Sequence, residues 1–331
     1  MLYNEEIKRE FISSLGLGET IEKQLENIFS RIGEFECSLD RDLCQIDNKK
    51  ELLPVLLTVS GNRSWNASQR LKYLKRYVKW CAENNKFTTV CDIISDITAE
   101  EIGVEYIGNH MAADPEDFRG YLDSFLRSDD MKTIDIVYKC VLWLAYAGIP
   151  EESIVDIQQA DVDFDVFDDI FLVSHEDRQY PVPSIAHKTF DYCVNLESFK
   201  FTNPRFPDSE VDRKRNEGTE LLRGIVSKSP NRSYKVLTQN ISNRVSGSGI
   251  QRRISYRSAM WSGFFFRLNQ MENITGEIDF KFEALRFMGK RGYKLDKSRA
   301  TMTTVENKKA KDVESDYKLW LKAFQKKSKI F

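Results

Sequence analysis

Residues 144–167 read LAYAGIPEESIVDIQQADVDFDVF, and their pattern changes from helical spacing to the alternation of a strand. The first four of these residues end an apolar run, residues 134–147. That run is hydrophobic on nearly every side and therefore predicts a central buried helix. Gly148 suits the end of that helix, and Pro150 suits the first turn of the next one. From residue 162 onward, apolar side chains alternate with aspartates, as in a half-buried strand. The stretch predicts a helical core that leads into a small sheet.

The rest of the chain is mainly helical in pattern. Two short apolar runs, 170–173 and 180–182, would complete an antiparallel meander with the strand at 162. Residues 200–218 are polar, contain Arg213-Lys214-Arg215, and are interpreted as an exposed loop. Helical spacing of apolar residues marks the segments 21–32, 52–59, 66–85, 185–196, 237–245, 256–271 and 313–324. The predicted fold class is mainly α with a small antiparallel β-sheet (α+β).

Composition excludes several classes of protein. With 331 residues, of which 41% are hydrophobic, the chain can form two cores. Apolar runs are too short to span a membrane and the N-terminus is charged, so we expect a cytoplasmic protein without membrane contact. The six cysteines are scattered and no phosphate-binding glycine loop occurs, so we expect no metal, disulfide framework or cofactor. Alternating Asp161, Asp163 and Asp165 are interpreted as a polar strand face.

The charges are strongly segregated along the chain. Residues 1–62 carry 7 basic and 12 acidic groups, and residues 63–90 carry 7 and 1. Residues 91–177 carry 4 basic and 22 acidic groups, whereas residues 178–331 carry 31 and 16. A nucleic-acid-binding protein needs such local positive zones whatever its net charge, because Lys and Arg displace counterions from phosphates. Solvated faces are the alternative explanation.

Three segments of the chain resemble parts of the tyrosine recombinases, or phage integrases. Residues 144–157 followed by Asp161-Val162-Asp163 resemble the first box of that family, and residues 180–183 resemble its hairpin. Residues 66–85 are similar to the core-binding-domain helix that these enzymes place against DNA. The resemblance implies a two-domain architecture, with a helical DNA-binding domain over residues 1–125 and a catalytic-like domain over residues 126–331.

The same resemblance implies a defective active site. The first catalytic arginine of the family falls on Pro150, and the His-x-x-Arg box falls on residues 254–257, where only Arg257 is kept. The third box falls on Met288-Gly289-Lys290, and the nucleophile falls near Arg299, with Tyr293 and Tyr317 as alternatives. No histidine follows His187. Because stabilising a phosphodiester transition state needs those charged donors, we expect no enzymatic activity.

Three functions remain open at this stage. The chain looks similar to the recombinase-fold repressors of SPbeta-type prophages, which implies sequence-specific binding to operator sites on double-stranded DNA in the host cytoplasm, near the nucleoid. The alternatives are an active recombinase and an assembly or adaptor protein. The aromatic stripe of the last helix either links two copies or folds back on its own chain. The expected DNA contacts are Arg63, Arg70, Lys72, Lys75, Arg76, Lys79, Arg178, Lys188, Arg244, Arg252, Arg253, Arg257, Lys290 and Arg291.

Overall fold

The computed structural model describes residues 2–60, 64–126, 134–167, 169–202, 210–215, 218–223, 230–250, 252–289 and 299–325. The chain packs as two compact units. The first unit comprises Met1–Gly108 and Lys318–Phe331, and the second comprises Asn109–Tyr317. In the part of the chain that is described, no helix has both the length and the apolar character that a membrane span needs.

The first unit is entirely helical in its described part up to residue 108. Its core is aromatic at the centre: the ring of Phe11 lies 5.2 Å from that of Tyr77 and 6.1 Å from that of Phe29. The predicted helices at 21–32, 52–59 and 66–85 are confirmed. The helices are α1 (Glu5–Ser14), α2 (Glu19–Leu39), α3 (Lys49–Ser60), α4 (Ser64–Glu83) and α5 (Ala99–His110).

The second unit is built around one fully buried helix. The helices are α6 (Pro115–Phe125), α7 (Ile134–Ala147), α8 (His187–Asn195), α9 (Pro230–Gly247), α10 (Tyr256–Thr275), α11 (Phe280–Gly289) and α12 (Arg299–Gln325), the last continuing into residues of the first unit. Every side chain of α7 from Asp135 onward is buried, as its all-round apolar pattern predicts. Gly148 then ends α7 with a φ of 99°, a conformation that favours glycine.

Helix α6 packs with the second unit. Phe118 stacks on Tyr146 of α7 at 4.8 Å and meets Trp143 edge to face at 4.9 Å. The sequence places a domain boundary at residue 125, whereas the packing divides the chain after Gly108. These ring contacts are the physical reason for the difference, because they join α6 to the core that follows it.

Helices α7 and α10 approach each other at a glycine. A Cβ atom added to Gly263 of α10 would lie 1.9 Å from the carbonyl oxygen of Tyr146 on α7. Only glycine fits this position without moving a backbone. The two helices therefore form a contact that fixes α10, whose first turn carries Arg257, relative to α7.

The sheet is the predicted three-stranded antiparallel meander. It consists of β1 (Val162–Phe167), β2 (Ile170–His175) and β3 (Arg178–Pro183), paired in that order. Val162 pairs with Val173, which in turn pairs with Tyr180, and all three are buried. Together with the described helices, this sheet confirms the predicted fold class.

The prediction of an exposed loop over residues 200–218 is wrong for its described part. Strand β4 (Ser198–Thr202) pairs with β5 (Glu210–Lys214) in an antiparallel hairpin, with Phe199 opposite Arg213. Phe199 is buried, which gives the hairpin an apolar attachment to the unit. Sequence periodicity does not reveal this hairpin, because β5 is more polar than an ordinary core strand.

Arg215, which follows β5 directly, is buried and organises the carbonyl groups around it. Its guanidinium donates hydrogen bonds to the backbone oxygens of Cys193, Leu196, Leu221 and Arg223. The Arg223 contact is 2.9 Å long and the Leu196 contact 3.2 Å. Arg215 is therefore a structural residue and does not lie on an exposed basic surface.

The aromatic stripe of α12 is buried within the chain. Of its members, Val313, Tyr317, Trp320 and Phe324 are buried, and Leu321 is half-buried. In the second unit, the ring of Tyr317 lies 6.0 Å from that of Phe265. This burial favours the alternative in which the helix packs within its own chain, and self-association through α12 stays a prediction.

Candidate nucleic-acid interface

Helix α4 separates an apolar side from a cationic side. Leu74, Tyr77 and Val78 are buried in the core of the first unit. Turned away from them, at spacings of four and three residues, Lys72, Arg76 and Lys79 are exposed. Such a row is a suitable surface for phosphates, because residues three and four apart are neighbours on a helix. We call Lys72, Arg76 and Lys79 the α4 basic face.

The cations of α4 differ in how far they are engaged. Within the described chain, neither Lys72 nor Arg76 forms an ion pair. Lys79 lies 3.6 Å from Glu83, with both side chains mostly exposed, so solvent weakens that pair. Lys75 instead donates to the carbonyl oxygen of Ser95 at 2.8 Å. Lys72 and Arg76 are thus the residues of this group with the most available charge.

A buried charged network supports α4 from its core side. The Tyr77 hydroxyl donates to the carboxylate of Asp42 at 3.0 Å. The ammonium of Lys8, on α1, lies 3.5 Å from Asp42 and forms an ion pair with Glu36 of α2. Sequence reasoning missed this network, although Lys8 shares a helix face with buried Phe11 three residues later. The network fixes α4 relative to α1 and α2, and so holds the α4 basic face in place.

Glu36 is the titratable member of this network with a shifted pKa in the physiological range. Burial, followed by the nearby charge of Asp42, raises the pKa of Glu36 to about 7, while Lys8 opposes that shift. Its other carboxylate oxygen accepts the backbone N–H of Leu43 at 2.8 Å. The stability of the first unit should therefore depend on pH through the protonation of Glu36.

Arg70 does not share the exposed position of the α4 basic face. Its side chain is half-buried, and its guanidinium donates to the carbonyl oxygen of Val59 on α3. Burial lowers the pKa of Arg70, and the nearby charge of Arg31 lowers it further. DNA contact by Arg70 stays a prediction, but its guanidinium faces a different part of the unit.

In the second unit, five of the predicted contact residues are exposed, and four of them, all but Arg244, form no ion pair within the described residues. Arg178 begins β3 at the β2–β3 turn, and Lys188 lies in the first turn of α8. Arg253 precedes α10 and Arg257 lies in its first turn. Within the described residues, no ion pair is formed by either Arg253 or Arg257. Their charges are available to a ligand, and their contact with DNA stays a prediction.

Two other arginines of the predicted set are engaged within the second unit. Arg252 binds both carboxylate oxygens of Asp117, at 2.8 and 2.5 Å, and its guanidinium lies 5.8 Å above the ring of Tyr121. Arg244 lies 3.2 Å from the buried carboxylate of Asp135. Each would reach a phosphate only by sharing or leaving its carboxylate. Arg63, Lys290 and Arg291 lie outside the described residues.

The structure brings together the two best-described boxes of the recombinase resemblance. The hydroxyl of Tyr256, beside Arg257, donates to the carbonyl oxygen of Ile149 at 2.9 Å. Pro150 follows directly and is buried. Ile254 is buried as well, and its backbone N–H donates to the Tyr121 hydroxyl at 2.9 Å. Apolar side chains therefore occupy the positions at which the resemblance expects arginine and histidine.

Tyr317, one of the two alternatives for a nucleophile, is held inside the second unit. It is 1% exposed, and its hydroxyl donates to the Glu272 carboxylate at 2.6 Å. Burial and Glu272 together raise its pKa. Both effects oppose formation of the phenolate. The other alternative, Tyr293, lies outside the described residues.

The described residues contain no group of three potential metal ligands. All six cysteines are free thiols. Asp161 accepts the backbone N–H of Gln158 at 2.7 Å, which closes the short turn before β1. The local role of Asp161 is therefore that of a turn residue.

One protein-family model matches the chain, over residues 2–83, and describes the N-terminal core-binding domain of MrpR. The matched segment ends with α4, so it includes the α4 basic face and the buried network beneath it. A comparison with curated proteins gives no match.

Several solved structures align with most of the chain at low similarity. The Tn1549 transposon integrase in complex with circular intermediate DNA is 12% identical, with coverage of 92% of this chain and 95% of that one and a TM-score of 0.33. The lambda integrase bound to DNA is also 12% identical, with coverage of 91% and 100% and a TM-score of 0.29. Values this low add no weight to any functional assignment.

Proposed function

We propose that this protein is a sequence-specific DNA-binding repressor that maintains prophage lysogeny and has no recombinase activity. The observation that carries the proposal is the match of residues 2–83 to the MrpR core-binding domain, combined with the cationic surface of α4 inside that match. A core-binding domain with an exposed row of cations suits a protein that holds duplex DNA through phosphates.

The proposed lack of catalysis rests on the residues at the resembling boxes. Pro150 and Ile254 can supply neither a charge nor a side-chain hydrogen-bond donor to a reacting phosphate. Removing one preorganised donor typically costs about 2.7–4 kcal/mol of transition-state stabilisation, and here two positions are changed. Buried Tyr317, bonded to Glu272, is also a poor nucleophile. Within the box at residues 254–257, Arg257 is the residue that is kept, and in a binding protein it would contact a phosphate.

Repression requires that binding be specific as well as tight. Phosphate contacts position a protein on DNA without reading its sequence, so base contacts from other residues must supply the specificity. We therefore propose operator sites on phage DNA as the biological ligand. The protein would act by occupying promoters, with any cooperation between copies adding to occupancy.

A promoter experiment tests this proposal. The full chain is mixed with DNA fragments from phage promoters, and protected sites are mapped by footprinting at physiological salt in the presence of competitor DNA. We expect protection of discrete sites and repression of a reporter gene placed behind them. Uniform coverage without discrete sites would contradict the proposal, and so would covalent attachment to DNA, which would assign the alternative of an active recombinase.

A further inference from the structure

The first unit contains a cleft between α2 and α4 whose polar lining is cationic and amide-bearing. The cleft has a volume of about 840 Å³, within the range of small-ligand sites. Its floor includes Leu25 and Ile28 of α2, and its charged groups are Lys23, Arg31 and Arg70. None of the described residues that line it is acidic. A cleft of this kind favours an anionic occupant with an apolar part.

Its two arginines are not neutralised by a carboxylate of the chain. Arg31 is exposed, and among the described residues it has no ion-pair partner. Arg70 is half-buried and donates one hydrogen bond to the carbonyl oxygen of Val59. The other N–H groups of its guanidinium can still donate to a ligand. Lys23 differs from both, because its ammonium lies 2.6 Å from the Glu19 carboxylate.

The pairing of the two arginines has an energetic cost in the absence of an anion. The pKa of Arg70 is lowered by burial and by the positive charge of Arg31, so the charged form of Arg70 is destabilised in the cleft. Proteins ordinarily pair a half-buried cation with a carboxylate. An oxyanion between Arg31 and Arg70 would remove the repulsion, and the planar fork of arginine matches phosphate oxygens in a bidentate manner.

We infer that the α2–α4 cleft is a binding site for a phosphate-type anion, held by Arg31 and Arg70 above the apolar floor of Leu25 and Ile28. The phosphate could belong to the DNA backbone or to a small phosphate ester. The inference goes beyond the proposed function, because it requires no duplex and uses a surface other than the α4 basic face.

Calorimetric titration of the full chain tests the site directly. Inorganic phosphate and phenyl phosphate are the probes, with chloride keeping the ionic strength constant. Arg31→Gln is the test variant, because Arg31 is exposed and its loss should not affect folding. Lys49→Gln is the matched control, since Lys49 is an exposed cation of the same unit, paired with Glu101 outside the cleft.

We expect phosphate to bind the wild type and Lys49→Gln equally. Arg31→Gln should weaken binding about tenfold, which corresponds to 1.4 kcal/mol, and phenyl phosphate should bind more tightly than inorganic phosphate because its ring can contact the floor. No phosphate binding by the wild type, or unchanged binding by Arg31→Gln, would overturn the inference. Either of those results, with operator binding intact, would leave the proposed function standing.

The salt dependence of DNA binding identifies the source of the phosphate. If the DNA backbone occupies the cleft, Arg31→Gln should reduce the slope of log affinity against log salt by about 0.9. If the slope stays unchanged while phosphate binding is lost, the occupant is a small phosphate ester. Both results support the site and distinguish its two sources.

Discussion

The α4 basic face makes a quantitative prediction about DNA binding. We consider the triple variant Lys72→Ala, Arg76→Ala and Lys79→Ala. Each cation that contacts a phosphate contributes about 0.9 to the slope of log affinity against log salt. Lys72 and Arg76 are unpaired in the described chain, and Lys79 is held only by an exposed pair with Glu83. Two or three contacts should therefore be lost, and the slope should become shallower by between about 1.8 and 2.7.

The same reasoning gives the loss of affinity. At about 0.15 M salt, a slope of 0.9 means that each phosphate contact raises the affinity about 5.5-fold through counterion release, so the loss of two contacts should weaken binding about 30-fold. The weakening should be similar for operator and for unrelated DNA, because phosphates carry no sequence information. Folding should be preserved, since alanine is the best helix former and all three side chains are exposed.

Fluorescence anisotropy over a series of salt concentrations measures both quantities. The matched control removes three cations of the first unit that already pair with carboxylates, by replacing Arg9, Arg41 and Lys49 with Ala. It changes the net charge equally but should leave the slope within experimental error. An unchanged slope in the α4 triple variant, or an equal change in the control, would refute the assignment of this face to phosphates.

Three further predictions concern stability. Gly263→Ala should lower the free energy of unfolding of the second unit by about 1–3 kcal/mol or more, because the added Cβ would clash with Tyr146. Gly120→Ala is its control, since a Cβ added to Gly120 would meet no neighbouring group within 4 Å. It should raise the free energy of unfolding by about 0.5–1 kcal/mol. Glu36 keeps its proton to about pH 7 in the folded state and loses it at about pH 4.5 in the unfolded state. The free energy of unfolding should therefore fall as pH rises from about 4.5 to about 7, and Glu36→Gln should flatten this dependence of stability on pH. Arg215→Lys should cost about 2 kcal/mol or more, because a lysine cannot satisfy all the carbonyl groups and an unmet one costs about 1–3 kcal/mol.

Thermal and urea unfolding of the full chain measure these effects. Equal stabilities of the two glycine variants would mean that α7 and α10 do not approach as closely as described. A wild-type stability that rises between pH 4.5 and pH 7 would contradict the assigned titration of Glu36. A lysine at position 215 without loss of stability would remove the structural role given to that arginine.

The parts of the fold with a clear period could be predicted from the sequence. The all-round apolar run of α7 predicts the central helix, and the alternation from Val162 predicts the meander. The apolar row of α4 marks its buried side, so the lysines and arginine on the other side are predicted to be exposed. Hairpin β4–β5 could not be predicted, because β5 has a polar sequence and because Arg215 binds carbonyl groups on both sides of the hairpin, which only the fold brings together. Likewise, nothing local in Lys8 distinguishes a buried lysine from an exposed one, since its carboxylate partners lie on other elements.

The candidate site was predictable to a similar extent. Amphipathic spacing identifies Lys72 and Arg76 as exposed cations, because their faces follow from the helix period alone. It cannot separate Arg252, which is bound to Asp117, from its exposed neighbour Arg253, because that distinction depends on a contact 135 residues apart in sequence. Arg31 was missed for the same reason, since only the fold brings α2 beside α4.

Trapping on a nicked suicide substrate tests the central claim most directly. The full chain is incubated with a nicked duplex containing its mapped operator, beside an active tyrosine recombinase on its own site, and each mixture is divided between a native gel and a denaturing gel. The account predicts a shifted complex in the native gel and no covalent protein–DNA species in the denaturing gel. A covalent adduct that disappears when Tyr293 or Tyr317 is changed to Phe would contradict it.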